Sequence, residues 1–229
     1  MTPSDRLIVA LDLPTVREAE AMAERLIEHV GFFKIGMELA YVGGIELGRR
    51  LMQAGQKVFF DLKLHDIPNT VERATAQIAA TGAAFMTVHA YPQTLAAAVA
   101  AARGTPLGIL GVTILTSMND ADAAAACYAD DVSGLVRNKA RQAAEAGVAG
   151  IVCSPLEIAS VRAAAGPTVK IVTPGIRPAG APLGDQKRVL TPVDAIRAGV
   201  DHIVVGRPIT AAPDPAAAAR SIQEEAAGL

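Results

Sequence analysis

The segment Lys57–Leu64 carries the densest chemistry in the chain. Asp61 and Lys63 lie two apart within an apolar run, and Asp66 follows three residues later. In an extended segment, residues two apart share a face. Asp61 and Lys63 therefore point one way, and Leu62 and Leu64 the other. A face holding two charges inside an apolar run is a candidate barrel interior, where an unpaired charge costs several kcal/mol and a mixed-sign cluster offsets that cost. Charges so placed work on a ligand; a structural ion network plugging a barrel mouth is the alternative. Asp12 and Lys34 extend the set, although either alone could be a buried pair or a helix cap. Two arginine motifs, Pro174–Gly175–Ile176–Arg177 and Gly206–Arg207–Pro208, suit a phosphate, with backbone N–H groups and a guanidinium fork as donors. The second is expected to close the eighth apolar run and open the last helix, and its plainer reading is a helix start with Pro at its first position and an exposed Arg. His89 reads as a hydrogen-bonded rim residue rather than a base, and His29, His65 and His202 sit in no motif. Ser154 and Cys153 have no His/Asp partner at a recognisable spacing, so a nucleophilic triad is not indicated.

These residues need a frame that brings them together. Eight apolar runs punctuate the chain: Leu7–Leu13, Phe32–Gly36, Lys57–Leu64, Phe85–His89, Leu107–Leu115, Gly150–Ser154, Lys170–Pro174 and His202–Gly206. They are continuously apolar and rich in Val, Ile and Phe, as parallel strands covered by helices are. Helix-like segments separate them. In the first, Thr15 precedes Glu18 in a capping box, and Val16, Ala19, Met22, Ala23, Leu26, Ile27 and Val30 share a face at helical spacing. Val71, Ala74 and Ile78 repeat the pattern, as do Leu135, Val136, Ala140 and Ala143. Gly31, Gly55, Gly82, Gly104, Gly147, Gly166 and Gly199 stand where left-handed residues end helices. Eight strand–helix units predict an α/β fold, a (β/α)8 TIM barrel in one domain over residues 1–229. A doubly wound sheet has fewer strands and a glycine-rich first turn, which Leu11–Asp12–Leu13–Pro14 lacks. The connection Thr116–Ser133 reads as a loop and short helix on the rim.

Barrel active sites lie at the carboxyl ends of the strands. The rule collects Asp12 from strand 1, Lys34 from strand 2, Asp61, Lys63 and Asp66 from strand 3, His89 from strand 4, Thr116 from strand 5, Ser154 from strand 6, Arg177 beyond strand 7 and Arg207 beyond strand 8.

Composition sets outer bounds. With 229 residues, 51% hydrophobic and 19% charged, the chain is neither disordered nor low-complexity. Its 21 basic and 23 acidic residues give a net charge of −2, which provides no general attraction to nucleic acid or anionic membrane. No apolar run approaches a transmembrane span or a signal sequence. The two cysteines, without CxxC spacing or neighbouring His, are expected to be reduced bystanders in a cytoplasmic protein.

The motifs together resemble one family. Asp61–Leu62–Lys63–Leu64–His65–Asp66–Ile67–Pro68–Asn69–Thr70 is similar to the DxKxxDIPxT signature of orotidine 5′-phosphate decarboxylases. Ala10–Leu11–Asp12, Phe33–Lys34–Ile35–Gly36–Met37–Glu38, Val112–Thr113–Ile114–Leu115–Thr116–Ser117, Thr173–Pro174–Gly175–Ile176–Arg177, Asp185–Gln186 and Val205–Gly206–Arg207 match it in order, from Leu7 to about Pro215. The chain is too short for a fused orotate phosphoribosyltransferase and so resembles the single-function, prokaryotic type. The resemblance implies loss of CO2 from C6 of orotidine 5′-phosphate to give UMP, without metal or organic cofactor. It makes Lys63 the proton donor within an alternating chain of Lys34, Asp61, Lys63 and Asp66, with Asp66 supplied by the other subunit of a homodimer. Asp61 would face the substrate carboxylate, and Asp12 and Lys34 would bind ribose hydroxyls. Ile67 and Thr70 would cross to the neighbouring site, and Thr116 would hydrogen-bond the pyrimidine. Arg177, Gln186, Gly206 and Arg207 would hold the phosphate beneath a lid over residues 178–187.

Two other readings compete. The Mg2+-dependent hexulose-phosphate synthase and keto-gulonate-phosphate decarboxylase group shares the Asp–Lys–Asp strand but carries Glu where this chain has Lys34, and a lysine there repels the metal. A non-catalytic barrel that binds a nucleotide phosphate would have little use for a buried lysine between carboxylates.

Overall fold

The structure, a computed structural model, describes residues 6–179 and 189–228. Eight parallel strands follow one another around a closed barrel, with the first hydrogen-bonded to the eighth. They are β1 (Leu7–Ala10), β2 (Phe32–Gly36), β3 (Lys57–Leu64), β4 (Phe85–His89), β5 (Gly108–Val112), β6 (Gly150–Val152), β7 (Lys170–Thr173) and β8 (His202–Val205). The connecting helices are α1 (Val16–Leu26), α2 (Ile45–Gln53), α3 (Pro68–Ala79), α4 (Pro92–Ala102), α5 (Asp120–Ala125), α6 (Val132–Glu145), α7 (Ile158–Ala165), α8 (Pro192–Arg197), α9 (Arg207–Thr210) and α10 (Pro215–Ala227).

The barrel strands are apolar throughout because both of their faces are covered. Ile8, Ala10, Phe32, Phe59, Phe85, Leu110, Val172 and Val204 point inward and fill the barrel. Their neighbours, among them Leu7, Val9, Phe33, Ile35, Phe60, Met86 and Val88, point outward and pack with Ala19, Ala23 and Leu26 of α1 and their counterparts on the other helices. The inner layer has an aromatic floor. Phe85 lies 5.5 Å from Phe32 and 5.4 Å from His202, ring centre to ring centre. Two residues further along the strands, the same inward positions carry Lys34, Asp61 and Thr87.

Four expectations need correction. Five strands end earlier than their apolar runs: β1, β5, β6, β7 and β8. The chain beyond them stays packed in the layer between strands and helices, so Leu11, Ile114 and Cys153 remain buried after the ladder has ended. Gly31 is not among the glycines with positive φ, whereas Gly55, Gly82, Gly104, Gly147, Gly166 and Gly199 are. Helix α1 stops at Leu26, well before Gly31, and its last turn closes through His29 N–H to Leu26 O at 2.8 Å. The Thr15 cap accepts from Glu18 N–H, but Glu18 takes the Thr15 hydroxyl proton rather than completing the box through the Thr15 backbone. Gly206–Arg207–Pro208 opens α9, a separate helix of four residues, and not the final helix α10.

Close packing leaves some positions no room for a side chain. A Cβ on Gly150 would lie 2.8 Å from the Lys170 carbonyl oxygen and 2.9 Å from Leu110 Cδ2. We expect Gly150→Ala to destabilise the fold by about 2 kcal/mol through overpacking against backbone. At this size that lowers Tm by roughly 4–8 °C, which differential scanning calorimetry would measure.

Candidate active site

The inward face of β2 and β3 at the barrel mouth carries a continuous chain of charge. Lys34 Nζ is 2.9 Å from Asp12 Oδ1 and 3.5 Å from Asp61 Oδ2. Asp61 Oδ1 in turn accepts from Lys63 Nζ at 2.7 Å. The parallel register sets these partners beside one another, with β1 residue Ala10 opposite Lys34 and β2 residue Gly36 opposite Asp61. Gly36 is required by this crowding, because a Cβ there would lie 2.8 Å from Asp12 Oδ1 and 3.2 Å from Lys34 Nζ.

Burial and pairing pull in opposite directions at both central charges. Burial by itself would lower the Lys34 pKa, but the adjacent carboxylates of Asp61 and Asp12 outweigh it and hold the ammonium above the usual lysine value of 10.5. Burial would likewise raise the Asp61 pKa. The charges of Lys34 and Lys63, with hydrogen bonds from Lys63 and Thr87, instead hold it below the ordinary 3.8. Both groups are ionised across the neutral range.

Strand β3 departs from regular geometry where its charges sit. Its pairing with β4 runs Phe59 with Phe85 and Phe60 with Met86, then resumes at Leu64 with Val88. Asp61, Leu62 and Lys63 thus stand opposite a single residue, Thr87. Within this bulge Lys63 has φ of 48°, the left-handed region, which costs a non-glycine residue roughly 1–2 kcal/mol. The fully buried Thr87 hydroxyl accepts the Lys63 backbone N–H at 2.9 Å and donates to Asp61 Oδ1 at 2.8 Å. Sequence reasoning missed Thr87. The period-two alternation of Phe85, Thr87 and His89 would have placed its hydroxyl on the inward face, though not beside Asp61, which the register decides.

Across the mouth, Ala10, Asp12, Lys34 and Asp61 share a cleft of about 360 Å³ with Pro174, Gly175, Arg177, Val204, Gly206, Arg207 and Thr210. The closure of β8 onto β1 brings the two arginine motifs to the cluster. Arg177 is buried, with one guanidinium N–H on its neighbour's Ile176 carbonyl at 2.9 Å. Arg207 is exposed at the edge of the cleft and is itself the first residue of α9, so Pro208 takes the second helical position rather than the first. Thr116 lies four residues beyond β5 in a turn closed by Met118 N–H to Leu115 O, and is half-buried. Gln186, and residues 180–187 of the expected lid, lie outside the described residues.

Asp66, Ile67 and Thr70 are not drawn into this cleft. All three are exposed, Ile67 at 66%. Asp66 accepts its neighbour's Ile67 N–H at 2.6 Å, and among the described residues no ion pair joins it to Lys63. Ser154 is a helix cap, its hydroxyl accepting Leu156 N–H while Glu157 accepts Ser154 N–H. Burial, then the nearby Glu157 charge, pushes the Cys153 thiol up to about 12, so neither residue is an activated nucleophile. His89 is held by ring packing, 6.0 Å from His65. Its pKa is lowered by burial and by the charges of His65 and Lys139, which keeps it neutral. His65 stacks on Tyr91 at 4.3 Å, and Lys139 Nζ lies 3.7 Å from the Tyr91 ring centre. Among the described residues no three His, Cys, Asp or Glu side chains converge to hold a metal.

Comparison with known proteins places this arrangement. The family model for "Orotidine 5'-phosphate decarboxylase / HUMPS family" matches residues 5–222. The chain belongs to that family. It is 59% identical over 222 residues to an orotidine 5′-phosphate decarboxylase of Bradyrhizobium sp., covering 97% of this chain and 91% of the relative. It is 60% identical over 220 residues to one from Methylobacterium radiotolerans, covering 96% and 95%. A crystal structure of orotidine 5′-phosphate decarboxylase from Lactobacillus acidophilus superimposes with a TM-score of 0.84 at 38% identity, covering 96% of this chain and 98% of that one. The family's barrel is thus the barrel described here.

The charge cluster has a measurable pH signature. Because Asp61 has a lower pKa folded than unfolded, it contributes stability that is present above 3.8 and disappears as the pH falls through the lower folded value. Asp61→Asn leaves Lys34 and Lys63 without their shared partner, and should cost about 3 kcal/mol at pH 7. The difference from the native chain should shrink steadily on acidification below 3.8, as followed by urea unfolding at a series of pH values.

Proposed function

We propose that this chain removes CO2 from C6 of orotidine 5′-phosphate to give UMP, with Lys63 as the proton donor. The reading is carried by one observation: an ammonium, a carboxylate and a second ammonium in hydrogen-bonding sequence at the mouth of a cleft that also holds Arg177 and Arg207. Breaking the C6–carboxylate bond leaves an electron pair on C6 with no carbonyl placed to delocalise it. A fixed positive charge next to that carbon lowers the barrier, since it is already oriented when the charge develops. Lys63 Nζ supplies that charge and then transfers a proton to C6. Asp61 faces the substrate carboxylate, and the repulsion between them is relieved as CO2 leaves. Asp12 and Lys34 bind ribose hydroxyls, Thr116 the pyrimidine, and Arg177, Gln186, Gly206 and Arg207 the phosphate.

Lys34 separates this reading from the Mg2+-using branch of the family. A cation at 3.5 Å from Asp61 occupies the place where that branch has a carboxylate ligand, and its charge opposes a divalent ion. Turnover of orotidine 5′-phosphate, followed by its absorbance change, should therefore persist in excess EDTA. Lys63→Ala should abolish turnover while UMP binding, followed by calorimetry, persists, because ribose and phosphate contacts act on ground and transition states alike. Activity restored only by Mg2+ would favour the metal-using branch, and binding without turnover in the native chain would favour a non-catalytic barrel.

Asp66 acts across a homodimer, completing the charge chain of the partner. This reading is supported by its exposure, by its lack of an ion pair to Lys63 among the described residues, and by the exposed apolar side chains beside it. Ile67 follows β3, and Met37, Tyr41 and Val42, exposed at 43%, 83% and 55%, follow the adjacent β2. A cytoplasmic location fits the exposed Cys127, which is unbridged; among the described residues no helix is long and apolar enough to cross a membrane. Mixing inactive Lys63→Ala and Asp66→Ala chains tests the shared site. In an isologous dimer about half the dimers are mixed and one site of each regains both residues, so about a quarter of native activity should return. Recovery no greater than the sum of the separate variants, with mixed dimers confirmed by native mass spectrometry, would place Asp66 beside the Lys63 of its own chain.

A further inference from the structure

The bulge in β3 gives Lys63 its direction, and the bulge closes on one hydroxyl. Three residues, Asp61, Leu62 and Lys63, stand opposite Thr87 alone, so the regular ladder is interrupted at the point where the reacting ammonium must be aimed. Thr87 Oγ1 fills the gap in both senses open to a hydroxyl. It accepts the N–H of Lys63, whose φ of 48° turns it out of the ladder, and gives its own proton to Asp61 Oδ1. The same Oδ1 accepts Lys63 Nζ at 2.7 Å. A closed ring results: Lys63 backbone, Thr87 hydroxyl, Asp61 carboxylate, Lys63 ammonium. Thr87 is fully buried between the inward-facing Phe85 and His89, where no water competes for these bonds.

We propose that Thr87 is a positioning residue for the decarboxylation, holding Lys63 in its left-handed conformation and fixing the Asp61 oxygen on which the Lys63 ammonium rests. It touches neither substrate nor reacting atoms. Asp61 is tied by three donors, Lys34, Lys63 and Thr87; two can swing with their own side chains, while the Thr87 hydroxyl sits on a short β-branched side chain on a barrel strand. Loss of that hydroxyl would let Asp61 rotate and leave the Lys63 N–H unpaired. The effect should fall on the step that needs Lys63 aimed, and not on contacts that hold ribose and phosphate. The inference rests on the reading of Lys63 as proton donor.

The test compares Thr87→Val, which keeps the shape and removes the hydroxyl, with Thr87→Ser, which keeps the hydroxyl, and with Lys63→Ala as reference. For Thr87→Val we expect kcat on orotidine 5′-phosphate to fall roughly ten- to a hundredfold. The dissociation constant for UMP should stay within about twofold of native, and Thr87→Ser should recover most of kcat. An unchanged kcat in Thr87→Val, alongside an inactive Lys63→Ala, would overturn the Thr87 role alone. Equal losses of kcat and UMP affinity, or no rescue by Ser, would show a merely structural residue and also overturn it. If Thr87→Val is not folded by circular dichroism, Thr87→Ala, which brings no methyl against Asp61, is judged by the same criteria. A Lys63→Ala chain that still turns over would overturn the underlying reading of Lys63 instead.

Discussion

Burial of alternating charge inside the barrel mouth is the constraint to which the rest of the site conforms. Lys34 is almost fully buried and Asp61 nearly so, above a floor of Phe32, Phe59 and Phe85 that offers no hydrogen bonds. Neither could stay ionised there alone. Each is kept charged by the other, and the surroundings are shaped by that need. Gly36 carries no side chain because one would collide with Asp12 and crowd Lys34. Asp12, more exposed, takes the outer side of Lys34, and Thr87 takes the inner side of Asp61. Loss of either partner would leave a buried charge uncompensated, and charges perturbed by burial and pairing cluster at functional sites.

The barrel makes the arrangement possible because its strands are parallel and its closure is complete. Parallel strands send all their carboxyl ends to one rim, so residues from β1, β2 and β3 meet the loops after β7 and β8 without any long excursion of the chain. The inward parity that builds the aromatic floor also selects which side chains project at the rim. Phe32 leads to Lys34, Phe59 to Asp61 and Phe85 to Thr87. Stability and chemistry thus share the same strands: the lower inward positions fill space, and the upper ones hold charge.

Among the described strand residues, this regular scheme is broken at Lys63, where the β3–β4 register shifts. A flat β3 would continue the ladder with β4 and leave Lys63 on a regular strand rotamer. The three-residue bulge re-aims it, at the cost of a left-handed non-glycine residue and an interrupted ladder. Just beyond, the chain runs outward through Asp66 and Ile67 to the start of α3. The strand that delivers the central charges therefore also presents the exposed segment proposed to meet a second subunit.

Much of this was legible in the amino-acid sequence. The two-residue spacing of Asp61 and Lys63, the eight apolar runs and the arginine motifs after the seventh and eighth depend on local periodicity, which a chain carries whatever its neighbours. They gave the barrel, the rim and most of the cleft. Strand ends were not legible, since packing between strands and helices keeps residues apolar after the ladder has ended; the separate helix α9 and the ordinary backbone at Gly31 are local chain geometry that residue type alone does not specify. Thr87 was hidden for a deeper reason. A threonine in an apolar strand is unremarked until the register shows it facing three residues of the neighbouring strand, and register belongs to the closed sheet rather than to any segment. The sequence alone determined which charges the site would hold. Only the tertiary structure decided which of them touch, because hydrogen-bond partners from different strands are chosen by the shear and closure of the barrel.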